Sequence, residues 1–178
     1  IQGVSSLQFT MRPRKPSTEG INMKTWVQSF IEFLVLQGIL VFGRFKLKSG
    51  RISPYYINLR RISDGQTLST LSTYFARKIV EDVGLDKFDT IFGPSYAGIP
   101  LAVGIASQLW RNHKEIKRYA FDRKEEKNHG DPKDRIIGGG CLFEKDRVLV
   151  VDDVITTGET KLESIRKLDS LNLQLRFV

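Results

Sequence analysis

A chain of 178 residues, 40% hydrophobic and 27% charged, has the length and composition of roughly one globular domain with a sizeable core. No apolar run approaches the ~20 residues needed to cross a bilayer, and the N-terminus carries no apolar signal region, which argues against a membrane protein. The single cysteine, Cys141, excludes an intramolecular disulfide and fits a reducing, cytoplasmic setting; after Gly138-Gly139-Gly140 it reads as a small packing residue. The net charge of +8 suits anionic ligands, either phosphorylated metabolites or nucleic acid. The most charge-dense stretch, Asp122 to Arg135, holds five basic and five acidic residues, whereas a nucleic-acid face would be a patch of one sign. The distribution therefore favours a small anionic ligand.

Residues 1–22, with Arg12, Pro13, Arg14, Lys15 and Pro16 and little periodicity, read as an extension or arm without chemistry of its own. The domain is expected over residues 23–178. From Lys24 to Gln37 the residues Trp26, Phe30, Phe33 and Leu34 recur at helical spacing, and Gly38 is placed to end that helix. Alternation at Phe45/Leu47 and at Tyr55/Ile57 predicts two strands joined around Ser49-Gly50. Lys48 beside that turn and the Tyr55-Tyr56 platform could hold a flat anionic ring, by charge and by stacking; a solvated lysine over packed tyrosines is the plainer alternative. Asp64 is placed to cap a helix with Leu68, Leu71, Phe75 and Ile79 on its inner face.

A βα unit follows: Thr90 to Phe92 as a strand, the tight connection Gly93-Pro94-Ser95-Tyr96-Ala97-Gly98, then a helix burying Leu101, Ile105 and Leu109. Lys117 to Phe121 predicts a further strand, and Asp122 to Arg135 a long polar loop, either a lid or a solvated connection. Val148 to Val151 predicts a strand buried on both faces, with Asp152 and Asp153 at its end and Thr156, Thr157, Gly158 and Thr160 before a helix over Lys161 to Leu168. Ligands of open α/β sheets bind at the carboxyl ends of strands, and anions favour helix N-termini. The acids suit sugar hydroxyls or a metal and the Thr/Gly loop a phosphate, so a ribose phosphate fits both halves. A capped turn, with Thr156 and Glu159 as capping box, leaves the acid pair unexplained. Leu173 to Val178 reads as a last strand.

Val-Val-Asp-Asp-Val-Ile-Thr-Thr-Gly resembles the phosphoribosyl-pyrophosphate (PRPP) motif of type I phosphoribosyltransferases. Leu-Lys-Ser-Gly-Arg-Ile-Ser-Pro-Tyr-Tyr-Ile-Asn is similar to the orotate-site hairpin of orotate phosphoribosyltransferases, and Arg-Lys-Glu-Glu-Lys-Asn-His-Gly looks like their mobile catalytic loop. The resemblance implies an α/β fold, a central mostly parallel sheet flanked by helices, Rossmann-like, with a small N-terminal hood. It implies PRPP contacts from Lys48, Tyr96, Ala97, Arg123, Lys124, Lys127, His129, Asp152, Asp153, Val154, Ile155, Thr156, Thr157, Gly158, Glu159 and Thr160. Orotate contacts would come from Lys48, Tyr56, Ile57 and Thr156. Lys127, His129 and Asp153 are the implied catalytic residues. Mg²⁺ is the implied cofactor, carried by PRPP and pyrophosphate rather than by dedicated protein ligands.

The implied reaction transfers phosphoribose from PRPP to orotate, giving orotidine 5′-monophosphate and pyrophosphate in pyrimidine (UMP) biosynthesis. The implied assembly is a homodimer sharing the Arg123–Arg135 loop between subunits, and association with orotidine 5′-monophosphate decarboxylase is a further partner the resemblance suggests. Two departures stand out. Ala97 occupies a position that is usually Lys in bacterial and fungal relatives. The relatives also continue past the point matching Val178, and the arginine that pairs there with the orotate carboxylate has no counterpart here. The rival functions are a purine or uracil phosphoribosyltransferase, against which the Lys48 hairpin speaks, and a PRPP-sensing RNA-binding regulator suggested by the basic charge.

Overall fold

The structure, a computed structural model, describes residues 24–47, 50–125, 127–131, 136–154, 158–171, 173–174 and 176–177. Helix α1 (Lys24–Leu36) ends at Gly38, whose φ of 64° lets its N–H reach the Val35 carbonyl at 2.9 Å. Strands β1 (Leu40–Lys46) and β2 (Ile52–Ile57) then form the expected antiparallel hairpin, with Val41 opposite Tyr56 and Phe45 opposite Ser53. Its turn residues, Lys48 and Ser49, lie outside the described residues. This N-terminal unit is anchored through α1: the Phe30 ring sits 5.0 Å from Tyr74 and edge-on to Phe75 at 6.4 Å, both on α2 (Gly65–Asp82). Asp64 caps α2 as its sequence predicts, accepting the Thr67 N–H at 2.8 Å and its hydroxyl at 2.7 Å.

The remaining elements are β3 (Thr90–Phe92), α3 (Gly98–His113), β4 (Arg118–Asp122), β5 (Ile137–Gly140), β6 (Arg147–Val150), α4 (Glu159–Asp169) and β7 (Arg176–Phe177). They build a sheet of order β5-β4-β3-β6-β7, parallel except for the edge strand β5. Both faces are covered, which is why Ile91 and Phe92 in β3 and Val148 to Val150 in β6 are apolar without alternation. Ile91 and Leu149 face one core with Leu71 and Ile79 of α2 and Leu101, Ile105 and Leu109 of α3. Phe92 and Val148, one residue along each strand, face the other with Leu168 of α4 and Leu173. The fold is thus α/β with a central, mostly parallel sheet.

Three sequence expectations need correction. Asp122 is the last residue of β4 and is buried, not the head of a solvated loop. Strand β5 was not expected, because three consecutive glycines have little strand preference. It forms because Phe121 lies across it: a Cβ on Gly139 would come within 2.4 Å of the Phe121 ring, and one on Gly140 within 2.0 Å of the Tyr119 carbonyl oxygen. Cys141, read as a packing residue, is exposed.

The amino ends of the strands are clamped by ions. The Asp146 carboxylate accepts from the Thr90 hydroxyl and the Phe143 N–H, both at 2.9 Å, and pairs with Arg118. Arg147 grips Asp89 with two guanidinium bonds, of 2.9 and 2.7 Å, and a backbone N–H bond of 3.0 Å. These hydrogen bonds hold the Asp89 carboxyl far below the usual carboxylate range. The unfolded chain therefore takes up the Asp89 proton at a higher pH than the folded one, so the pair stabilises fully near neutrality and less as pH falls below about 4. Arg147→Met is expected to melt a few degrees lower at pH 7, and the gap should close on acidification. A gap that persists at acid pH would assign the loss to packing rather than charge.

Candidate active site

Strand β3 has β4 on one side and β6 on the other, so the chain's winding reverses at β3. A crevice opens at such a switch point, at the carboxyl ends of the strands. The loops leaving β3, β4 and β6 all depart from that edge.

The β3 loop turns back on itself at once. A Cβ on Gly93 would sit 2.0 Å from the Gly98 carbonyl oxygen, so glycine is required for the backbone to close this tightly before α3. The loop is held from the side by Asp122: its Oδ1 accepts the Ser95 N–H at 2.8 Å, and its carbonyl accepts the Ser95 hydroxyl. Lys167 of α4 reaches the same carboxylate at 3.9 Å and the Arg123 carbonyl at 3.4 Å. Asp122 thus ties β4 to the β3 loop and to α4. In the sequence it is one charge among many. The signal was its alternation with Ala120, which places an acid on a buried face in need of a partner.

Tyr96 is 68% exposed, and Ala97 is exposed at the N-cap of α3, offering backbone alone. The Lys124 ammonium lies 5.5 Å from the centre of the Tyr96 ring, joining the two loops by a cation–π contact. Arg123 is half-buried and donates its N–H to the Ile136 carbonyl at 2.7 Å, while Lys127 and His129 project into solvent.

At the exit of β6, Val151 is buried and donates to the Phe92 carbonyl at 2.8 Å. Asp152 Oδ1 accepts the Asp153 N–H at 2.8 Å, and Asp153 Oδ1 accepts the Val154 N–H at 2.7 Å. Lys161 Nζ lies 2.6 Å from Asp152 Oδ2 and also donates to the Val154 carbonyl. Burial, and next the adjacent Asp152 charge, push the Asp153 carboxyl up from its ordinary range. Helix α4 starts at Glu159 with Gly158 as N-cap, at φ 80°; the expected Thr156–Glu159 capping box lies outside the described residues. Ile155, Thr156, Thr157 and the side chain of Thr160 lie outside the described residues.

The hairpin presents Tyr56, 46% exposed, with its ring 5.6 Å from Phe45. Ile57, on the opposite face of β2, packs against the core cluster that contains Val151. The base of the hairpin and the residue preceding the acid pair therefore rest on one core.

Residues 59–177 match the phosphoribosyl transferase domain family. An orotate phosphoribosyltransferase of Shewanella oneidensis is 42% identical over 156 residues, covering 86% of this chain and 68% of that protein. One from Photobacterium profundum is 42% identical over 146 residues, covering 80% of this chain and 64% of that protein. The chain thus spans about two thirds of the length of the curated relatives it matches, less than that in the second case. Among solved structures, the orotate phosphoribosyltransferase of Francisella tularensis superposes with a TM-score of 0.69 at 38% identity, over 84% of this chain and 67% of that one. The UMP synthase of Leishmania donovani gives 0.64 at 33% identity, over 84% of this chain and 29% of that one. A match of this extent, on a sheet whose switch point carries the acid pair, has one reading: the chain belongs to the phosphoribosyltransferase domain family and, within it, to the orotate phosphoribosyltransferases.

Proposed function

We propose that the protein transfers phosphoribose from PRPP to orotate, releasing pyrophosphate and forming orotidine 5′-monophosphate. The observation that carries this reading is the Asp152–Asp153 pair at the carboxyl end of β6, beside the N-terminus of α4. In this reading the acids take the ribose hydroxyls. The segment from Val154 through Ile155, Thr156, Thr157 and Gly158 to Glu159 and Thr160 takes the 5′-phosphate at the positive end of the helix. The β3 loop offers backbone N–H groups to the pyrophosphate at Tyr96 and Ala97, and Arg123, Lys124, Lys127 and His129 close over it. Lys48, Tyr56, Ile57 and Thr156 form the orotate side.

The reaction asks for stabilisation of a cationic ribose and a departing polyanion, so preorganised charge and exclusion of water matter more than a covalent nucleophile. Lys127 or His129 donates a proton to the leaving pyrophosphate. Mg²⁺ would be carried by PRPP and pyrophosphate rather than by dedicated protein ligands, and a hard, oxygen-preferring cation suits a site that combines phosphates with the nearby acid pair. When bound, it neutralises charge on the leaving group.

Other parts of the reading have indirect support. A homodimer sharing the Arg123–Arg135 loop would complete the charge around the pyrophosphate. Likeness to part of a longer UMP synthase supports association with orotidine 5′-monophosphate decarboxylase, which would consume the product. A cytoplasmic location agrees with the lone, exposed cysteine; among the described residues no helix is long and apolar enough to cross a membrane. The test is orotate consumption, followed spectrophotometrically with PRPP and Mg²⁺. Hypoxanthine and uracil serve as controls, and turnover of either in preference to orotate would overturn the assignment.

Ala97 makes a separate prediction. With no cation at that exposed position, Ala97→Lys is expected to tighten PRPP binding about 2–5-fold, the worth of one exposed charge pair. Calorimetric titration measures it. Unchanged affinity would mean that another cation, such as Lys124 over Tyr96, already serves the place.

A further inference from the structure

Lys161 stands where helix electrostatics disfavour a cation, in the first turn of α4. Its side chain is nonetheless 18% exposed, against an Asp152 side chain that is 11% exposed. It reaches two acceptors at the exit of β6, Asp152 Oδ2 at 2.6 Å and the Val154 carbonyl. Asp152 is then engaged at both oxygens, by the Lys161 ammonium and by the Asp153 N–H. The two carboxylates are consequently not equivalent.

We propose that Lys161 is a positioning residue of the sugar-binding pair: it holds Asp152 and the chain at Val154 as one unit, so that Asp153 is the carboxylate that meets the ribose hydroxyls. The inference rests on the PRPP reading above and refines it, because it divides between two residues a task assigned to both. Three physical arguments support it. Two adjacent ionised carboxylates repel each other, and the ammonium on the first offsets part of that repulsion. A nearly buried carboxylate that loses a partnering cation is left uncompensated, so it would turn away or take up a proton. The bond to Val154 also ties the backbone directly after the acid pair to the first turn of α4, so the pair is held through its chain as well as through its charge.

The test is a double-mutant cycle read by PRPP affinity in calorimetry, with KM for PRPP and for orotate measured beside it. Lys161→Met is expected to weaken PRPP binding about 10–100-fold, the range seen when a group that orients a ligating carboxylate is removed. The KM for orotate should stay within about threefold, because uniform loss at the PRPP half leaves the base site alone. Asp152→Asn combined with Lys161→Met should be no weaker than Lys161→Met alone, since no uncompensated carboxylate is then left beside Asp153. Lys161→Arg should recover most of the affinity. If the single losses add, Lys161 touches PRPP itself and the positioning role is wrong. If Lys161→Met lowers only the melting temperature, the ion pair is structural and the proposal is equally wrong. Where Lys161→Met does not fold, Lys161→Arg and the charge-balanced double variant, each compared with Asp152→Asn, decide the same point. Wild-type protein that binds PRPP without consuming orotate would overturn the parent reading while leaving this cycle interpretable; wild-type protein that does not bind PRPP would overturn both.

Discussion

Lys127→Ala is expected to lower kcat by about 100–1,000-fold, the loss that follows removal of one preorganised charge from a developing anion. The side chain is exposed and the residue lies in the polar loop after β4, so the fold should not register the change. Surface substitutions of this kind stay within about 0.5 kcal/mol. Steady-state turnover beside a melting curve checks both halves. A variant with near-normal kcat would take the Arg123–Arg135 loop out of catalysis and leave it as a solvated connection. A variant that melts early would instead point to a packing role that its exposure gives no reason to expect.

Asp153→Asn should weaken the use of PRPP far more than it weakens orotate binding. A hydrogen bond to a charged group contributes about 1.5–3 kcal/mol, or roughly 10–150-fold in kcat/KM for PRPP. The charge also sets a pH dependence. Burial and the Asp152 charge hold the Asp153 carboxyl above its ordinary range, so its proton is retained to a higher pH than in a free aspartate. The ionised form needed for the sugar is therefore lost as pH falls, beginning above the usual carboxylate pKa of about 3.9. In the wild type kcat/KM for PRPP should show that acid limb, and Asp153→Asn should flatten it. Equal damage to PRPP and orotate use, or an unaltered acid limb, would remove Asp153 from the sugar site.

What the sequence makes legible in this fold and site is what local signals set. Asp64 capping α2, Gly38 ending α1 and the apolar run of β6 are each set by residues within one turn or one strand, and each stands where the sequence puts it. The acid pair was legible for the same reason, because two carboxylates directly after a doubly buried strand have no structural excuse. What escaped was non-local. Lys161 and Lys167 look like ordinary solvated helix lysines until the fold brings Asp152 and Asp122 beneath them. Strand β5 contradicts the preference of its glycines because a ring from the neighbouring strand occupies the space their side chains would have filled. The last strand was expected from Leu173; it is Arg176–Phe177, after Gln174 at φ 50°. A residue outside glycine in that conformation is uncommon and is not foreseeable from apolar alternation.

The ion clamps at Asp89 and Asp146 have a consequence for how this protein could change over time. They sit at the amino ends of the strands, while the β3, β4 and β6 loops assigned to ligand chemistry leave from the opposite ends. Robustness and reactivity are therefore drawn from separate stocks of residues. Substitutions that shorten or enrich the clamped edge can raise the melting temperature without taxing turnover, which escapes the usual trade-off between the two. The reserve so created can absorb the destabilising changes that a new base specificity would demand of the hairpin.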